Sequence, residues 1–157
     1  MIRIVIADDQ ELLLGTIGSL LDLEEDMEVV GMAKNREHAL ELIEQRQPDL
    51  FILDMENLLR DGPLTDIGCH LVLFTTFAKE GYLEQVQQIG ANGYLLKDSP
   101  SEELTSSIRR IMEGAQVYSP KLIEKKESVS YEIPHAPGTM KKNYFTMIMD
   151  KMKHPTG

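Results

Sequence analysis

Cysteine occurs once in the 157 residues, at Cys69, so no disulfide can form within the chain. No apolar run approaches the roughly 18 residues that read as a membrane-spanning helix, and Met1-Ile2-Arg3 opens no signal-peptide pattern. A cytoplasmic protein with no membrane partner is therefore the expectation. The four histidines, His38, His70, His135 and His154, share no metal-ligand spacing, which argues against a His/Cys zinc centre. Positive charge is also scarce, with 16 Lys/Arg against 26 Asp/Glu and a formal net charge of -10. The deficit is uneven: residues 1–120 carry 9 basic and 22 acidic side chains, residues 121–157 carry 7 and 4. An acidic body argues against unaided binding to nucleic acid but suits a site that holds a divalent cation. Internal repeats and low-complexity segments are absent.

What the chain does contain is a regular alternation of short apolar runs and helical patterns. Ile2 to Ala7 reads as a strand closing on Asp8-Asp9, and Leu13, Leu14, Ile17, Leu20 and Leu21 then fall at helical spacing. Met27 to Ala33 is a second strand, followed by a helix that Asn35 can cap and Pro48 ends. Leu50-Phe51-Ile52-Leu53 is a third strand ending at Asp54. A fourth, Leu71 to Phe74, closes on Thr75-Thr76, and Tyr94-Leu95-Leu96 ends at Lys97. Helices are expected from about Ala78 to Ile89 and from Ser101, as part of a capping box, to Gly114. Five strand-helix units predict an α/β fold: a doubly wound, five-stranded parallel sheet.

Taken singly, an acid ending a buried strand is as well explained as a turn or helix cap. Asp8, Asp9 and Asp54 together mean more, because neighbouring strands would bring them to the carboxyl edge of the sheet, where loops and ligands collect. Crowded carboxylates repel unless a cation joins them, and hard oxygen donors suit Mg²⁺. A carboxylate beside such an ion can attack a phosphoryl group to form an aspartyl-phosphate. Lys97 would supply a further positive charge and Thr75 a hydroxyl for a phosphoryl oxygen.

Four stretches carry a resemblance to a known family: Ile4-Val5-Ile6-Ala7-Asp8-Asp9, Asp49-Leu50-Phe51-Ile52-Leu53-Asp54, Leu73-Phe74-Thr75-Thr76-Phe77 and Gly93-Tyr94-Leu95-Leu96-Lys97-Asp98. They resemble the receiver domains of bacterial two-component response regulators. Lys97-Asp98-Ser99 looks most like the LuxR/NarL-type branch. Asp9-Gln10, Leu14-Gly15, Asp26 to Gly31 and Thr75 to Ala78 are similar to regulators of a fatty-acid desaturase. The resemblance implies a flavodoxin-like sheet in the order 2-1-3-4-5. It also implies roles: Asp54 as phosphoacceptor, Asp8, Asp9, Asp54 and the Glu56 backbone carbonyl as Mg²⁺ ligands, Thr75 and Tyr94 as switch residues, and Lys97 as counter-charge. The implied partners are a sensor histidine kinase and, through the face of the fourth helix and fifth strand, a second copy. Beyond phosphoryl transfer and dephosphorylation on Asp54 itself, no enzymatic activity is implied.

Two stretches depart from the family. Only 20 residues separate Asp54 from Thr75, and Asn57-Leu58 stands where Met-Pro is usual. A parallel crossover needs about a dozen residues and a helix. The third helix is therefore expected to shrink to about a turn, leaving an apolar patch and a destabilised receiver. After a receiver over 1–118, a linker is expected over 119–137 and a single helix over 138–154, with Met140, Tyr144, Met147, Ile148 and Met152 in one stripe. Its start, Gly138 to Tyr144, resembles the recognition helix of a LuxR-type helix-turn-helix domain, whose DNA-facing residues would be Thr139, Lys141, Lys142 and Asn143. The preceding helices of such a domain are missing, so the chain reads as an internally shortened relative. Three functions remain open: a phosphorylation-controlled regulator linked to transcription, a phosphorylation-defective protein that only binds a kinase or partner, and an Asp-nucleophile phosphohydrolase.

Overall fold

Residues 1–123 are described by a computed structural model. The expected linker beyond Ile123, the helix over 138–154 and the DNA-facing residues Thr139, Lys141, Lys142 and Asn143 lie outside the described residues.

Runs of β-branched and apolar residues set the strands, and the alternation of their side chains gives the central strands two buried faces. The strands are β1 (Ile2–Ala7), β2 (Met27–Ala33), β3 (Leu50–Asp54), β4 (His70–Thr75), β5 (Gly93–Leu96) and β6 (Val117–Tyr118). All neighbours pair in parallel, in the order β2-β1-β3-β4-β5-β6. Helices α1 (Glu11–Asp22) and α5 (Ser101–Met112) are on one face, where Leu13, Ile17, Ile108 and Ile111 pack with Ile4, Ile6, Ile52 and Phe74. Helices α2 (Arg36–Arg46), α3 (Met55–Asp61) and α4 (Tyr82–Ile89) cover the other, where Ala39, Leu58 and Val86 meet Val5, Phe51, Leu53 and Leu73. Every residue of β3 is buried, as its unbroken apolar run requires of a central strand.

The parallel doubly wound sheet is as expected, with six strands in place of five. Val117 and Tyr118 add a short edge strand beside Gly93 and Tyr94, and Ser119 N–H donates to the Tyr94 carbonyl at 2.8 Å. Two residues show no period, so this strand is set by its pairing and not by a local pattern. The turn α6 (Pro120–Ile123) follows, with Leu122 buried against the α2-α3-α4 side. Residues 119–123, expected to open the linker, thus pack on the sheet.

Helix α3 is longer than the single turn expected: it is seven residues, beginning immediately after Asp54. It is still the shortest of α1 to α5, and the rest of the crossover, 62–69, holds no helix or strand and passes through positive φ at Gly62, Asp66 and Gly68. Clefts flank it on both sides, about 530 Å³ against Leu40 and Ile43 of α2 and about 280 Å³ against Leu71 and Ile89. Elsewhere the local signals act as read or nearly so. Asn35 accepts the His38 N–H at 2.8 Å to cap α2. Gly90 ends α4 in the left-handed conformation at φ 74°. Helix α4 starts at Tyr82, later than expected, because Gly81 precedes it at φ 87°. Ser101 is the first residue of α5 and does not cap it; Pro100 holds that position.

Candidate functional site

Because β1 and β3 are hydrogen-bonded neighbours, with Ala7 opposite Leu53, the acids that end them meet at the carboxyl edge of the sheet. One carboxylate oxygen from each of Asp8, Asp9 and Asp54 lies within 4.8 Å of the others. Asp8 and Asp54 are buried, whereas Asp9 faces solvent. Asp8 is held from below, accepting the Gln10 N–H at 2.9 Å.

Lys97 leaves the end of β5 and reaches across β4. Its ammonium lies 2.9 Å from Asp8 Oδ2 and 2.7 Å from Asp54 Oδ1, and its side chain is only 4% exposed. Its backbone N–H donates to the Thr75 carbonyl at 2.6 Å, which fixes the origin of the side chain. The ammonium therefore bridges two of the three carboxylates. Burial pushes the Asp54 carboxyl above its ordinary value; Lys97 opposes this, while Asp8 and Asp9 reinforce it. Burial by itself would lower the Lys97 ammonium, but the carboxylates of Asp8 and Asp54 outweigh it and hold the group above its usual range. The uncompensated charge, set in a cluster of hard oxygen donors, fits a small divalent cation.

Thr75 ends β4 and is 2% exposed, its hydroxyl donating to the Phe77 carbonyl at 3.1 Å. Tyr94, on β5, is fully buried, and its ring meets that of Tyr118 edge-on at 6.1 Å. Its hydroxyl has no hydrogen-bond partner among the described residues, and burial pushes the phenol up to about 12. A buried polar group without a partner costs free energy. Its position is thus one from which movement could bring a gain.

Glu56, expected to contribute its backbone carbonyl, lies two residues beyond Asp54. It sits in the first turn of α3, and helical carbonyls point toward the helix's C-terminal end. The Glu56 carbonyl therefore runs down α3, away from Asp54. Its carboxylate is engaged elsewhere, accepting the Tyr82 hydroxyl at 2.9 Å. That contact joins the beginnings of α3 and α4, and the Tyr82 phenol is pushed up to about 12 by burial and by the Glu56 carboxylate.

Sequence reasoning missed Tyr82 and the contacts of Arg36. From the first turn of α2, the Arg36 guanidinium donates through Nε to Asn57 Oδ1 at 3.0 Å and through its two terminal nitrogens to the Asp61 and Gly62 carbonyls. Nothing in the sequence marks these pairs, because 21 to 26 residues separate the partners.

Comparisons with known proteins bear on the family to which such a chain belongs. The family pattern described as "Response regulator receiver domain" matches residues 4–109. The "Transcriptional regulatory protein DesR" of Bacillus subtilis is 40% identical over an alignment of 182 residues that covers 98% of this chain and 91% of the relative. An alignment longer than the 157-residue chain means that the relative has stretches with no counterpart here. The "Uncharacterized transcriptional regulatory protein YvfU" of the same organism is 47% identical over 78% of this chain and 64% of its own length. Against this and several other curated relatives the chain spans less than two thirds of the relative's length. Among solved structures, the signal receiver domain of the putative response regulator NarL from Mycobacterium tuberculosis is 28% identical with a TM-score of 0.63. That match covers 72% of this chain and 97% of the other.

Proposed function

The chain belongs to the response regulator receiver family, and on that premise we propose that it is a phosphorylation-dependent regulator, accepting a phosphoryl group on Asp54 from a sensor histidine kinase. The observation that carries this reading is the Lys97 ammonium set between Asp8 and Asp54, with Asp9 beside them. A carboxylate oxygen of Asp54 attacks phosphorus, and the leaving group departs with the electrons of its bond to phosphorus. Lys97 offsets charge on the transferring oxygens. A bound Mg²⁺, held by Asp8, Asp9 and Asp54, would supply further charge compensation there. The Thr75 hydroxyl would exchange the Phe77 carbonyl for a phosphoryl oxygen. That movement vacates space beside Tyr94, whose unpartnered hydroxyl can then find a new acceptor.

The output follows from the relatives, which are transcriptional regulators by name. Pairing between copies would use the face of α4 and β5, next to which Phe77 is 55% exposed. DNA contacts by Thr139, Lys141, Lys142 and Asn143 belong to the same proposal. A phosphohydrolase reading loses its general acid, since Glu56, two residues after the nucleophile, is tied to Tyr82. The binding-only reading is favoured by one observation, that α3 begins directly after Asp54.

Incubation with Mg²⁺ and acetyl phosphate separates these readings. A stable adduct of one phosphoryl group, cleaved by alkali or hydroxylamine as an acyl phosphate is and lost in Asp54→Asn, is the expected result. Continuous turnover without adduct would favour the hydrolase, and neither adduct nor turnover would leave the binding-only protein.

A further inference from the structure

Helix α3 is anchored unevenly. Of its seven residues only Met55, Asn57 and Leu58 are buried, and its first residue follows Asp54 with no side-chain cap. Arg36 reaches both ends of the helix, donating to the Asn57 amide oxygen in the first turn and to the carbonyls of Asp61 and Gly62 at the last. The last carbonyls of a helix have no partner within it, and a charged donor on them opposes fraying. Arg36 thus ties the first and last turns of α3 to α2.

A wound α3 is unfavourable for a cation at the acidic cluster. The end it presents toward Asp54 carries N–H groups, the positive end of the peptide dipoles, while every first-turn carbonyl is directed away. Opening that turn reverses both effects, removing aligned donors and freeing oxygen acceptors close to the three carboxylates. A ligand that requires the opened form binds more weakly by the fraction of molecules that are open.

We propose that Arg36 is a positioning residue for the Asp54 site, a clamp that keeps α3 wound and thereby weakens divalent-cation binding at Asp8, Asp9 and Asp54. The clamp sits on α2 and touches neither the carboxylates nor Lys97. It therefore acts only through the conformation of the segment after Asp54. The inference rests on the reading of the acidic cluster as a cation site.

Mn²⁺ alone, added to the full chain and followed by the electron paramagnetic resonance of the free ion, tests it. Arg36→Ala is expected to bind Mn²⁺ several-fold more tightly than the parent chain. Arg36→Lys, which keeps the charge but loses the planar fork, should lie between them. Loss of binding in Asp54→Asn assigns the ion to this cluster. A second pair avoids the clamp: Glu56→Gly and Glu56→Ala both lack the carboxylate and the Tyr82 contact and differ mainly in helix propensity. Glu56→Gly is expected to bind the tighter of the two, by up to about fivefold, the factor corresponding to that propensity difference. Equal affinity in the Gly and Ala chains, or unchanged or weaker binding in a folded Arg36→Ala chain, overturns the clamp while leaving the cation site standing. Absence of Mn²⁺ binding in every chain overturns both.

Discussion

Asp54 is buried, is crowded by two other acids and shares one ammonium with Asp8. Its raised pKa means that the folded chain holds this proton where the unfolded chain, with a carboxyl near 3.8, has already released it. The favourable contribution is complete below that unfolded value and is lost as the pH rises through the folded one. Without divalent ions, Asp54→Asn is therefore expected to be more stable than the parent chain at pH 7, by about 1 kcal/mol, the usual size of a single-residue effect. The advantage should shrink toward pH 4. Urea denaturation of both chains across that range measures it, and an advantage that grew on acidification would contradict the assignment. Asp8, Asp9, Asp54, Thr75 and Lys97 could be identified from the sequence because each ends a recognisable apolar strand, so a local pattern placed it at a known edge. Arg36 and Tyr82 could not, because their partners, Asn57 and Glu56, lie on other elements and nothing local announces the contact.

Among the elements, α3 shows most clearly where local reading stops. Counting residues between Asp54 and Thr75 revealed a shortened crossover, but not how the shortage would be distributed. The chain keeps the helix adjoining the site and gives up regular structure over 62–69, where Leu64 and Ile67 remain half-buried beside open clefts. Keeping α3 is favoured by Met55 and Leu58, whose side chains complete the core against β3 and β4. Inserting about five helix-forming residues after Asp61, one to two turns, is expected to fill those clefts and raise the melting temperature by several degrees. A thermal melt followed by far-ultraviolet circular dichroism would show it, and an unchanged or lower midpoint would mean that the loop is already adequately packed. The edge strand β6 was invisible for the opposite reason: two residues form it, and what holds it in place is contact with β5 and its approach, through the Asn92 and Tyr94 carbonyls, the Tyr94 ring and the Ala91 carbonyl.

For the molecule as a whole, alternation and apolar patterning were enough to place the layers, because both faces of a parallel sheet must be covered and each strand repeats that demand. Stretches far apart in the chain are also tied together: Arg109 near the end of α5 grips Glu24 and Asp26 in the turn before β2, at 2.6 and 2.8 Å. The crossover over 55–69 has a kinetic consequence too. It is the shortest connection between paired strands in the sheet, compared with 8–26, 76–92 and 97–116. Loop closure becomes costlier as a connection lengthens, so β3 and β4 should be the first strands to associate during folding. Ile52→Val and Val72→Ala are then expected to slow refolding in proportion to the stability they remove, whereas Val117→Ala should mainly hasten unfolding. Stopped-flow refolding and unfolding of the three variants decides it. The shortened connection that leaves clefts in the finished fold would be the place where folding begins.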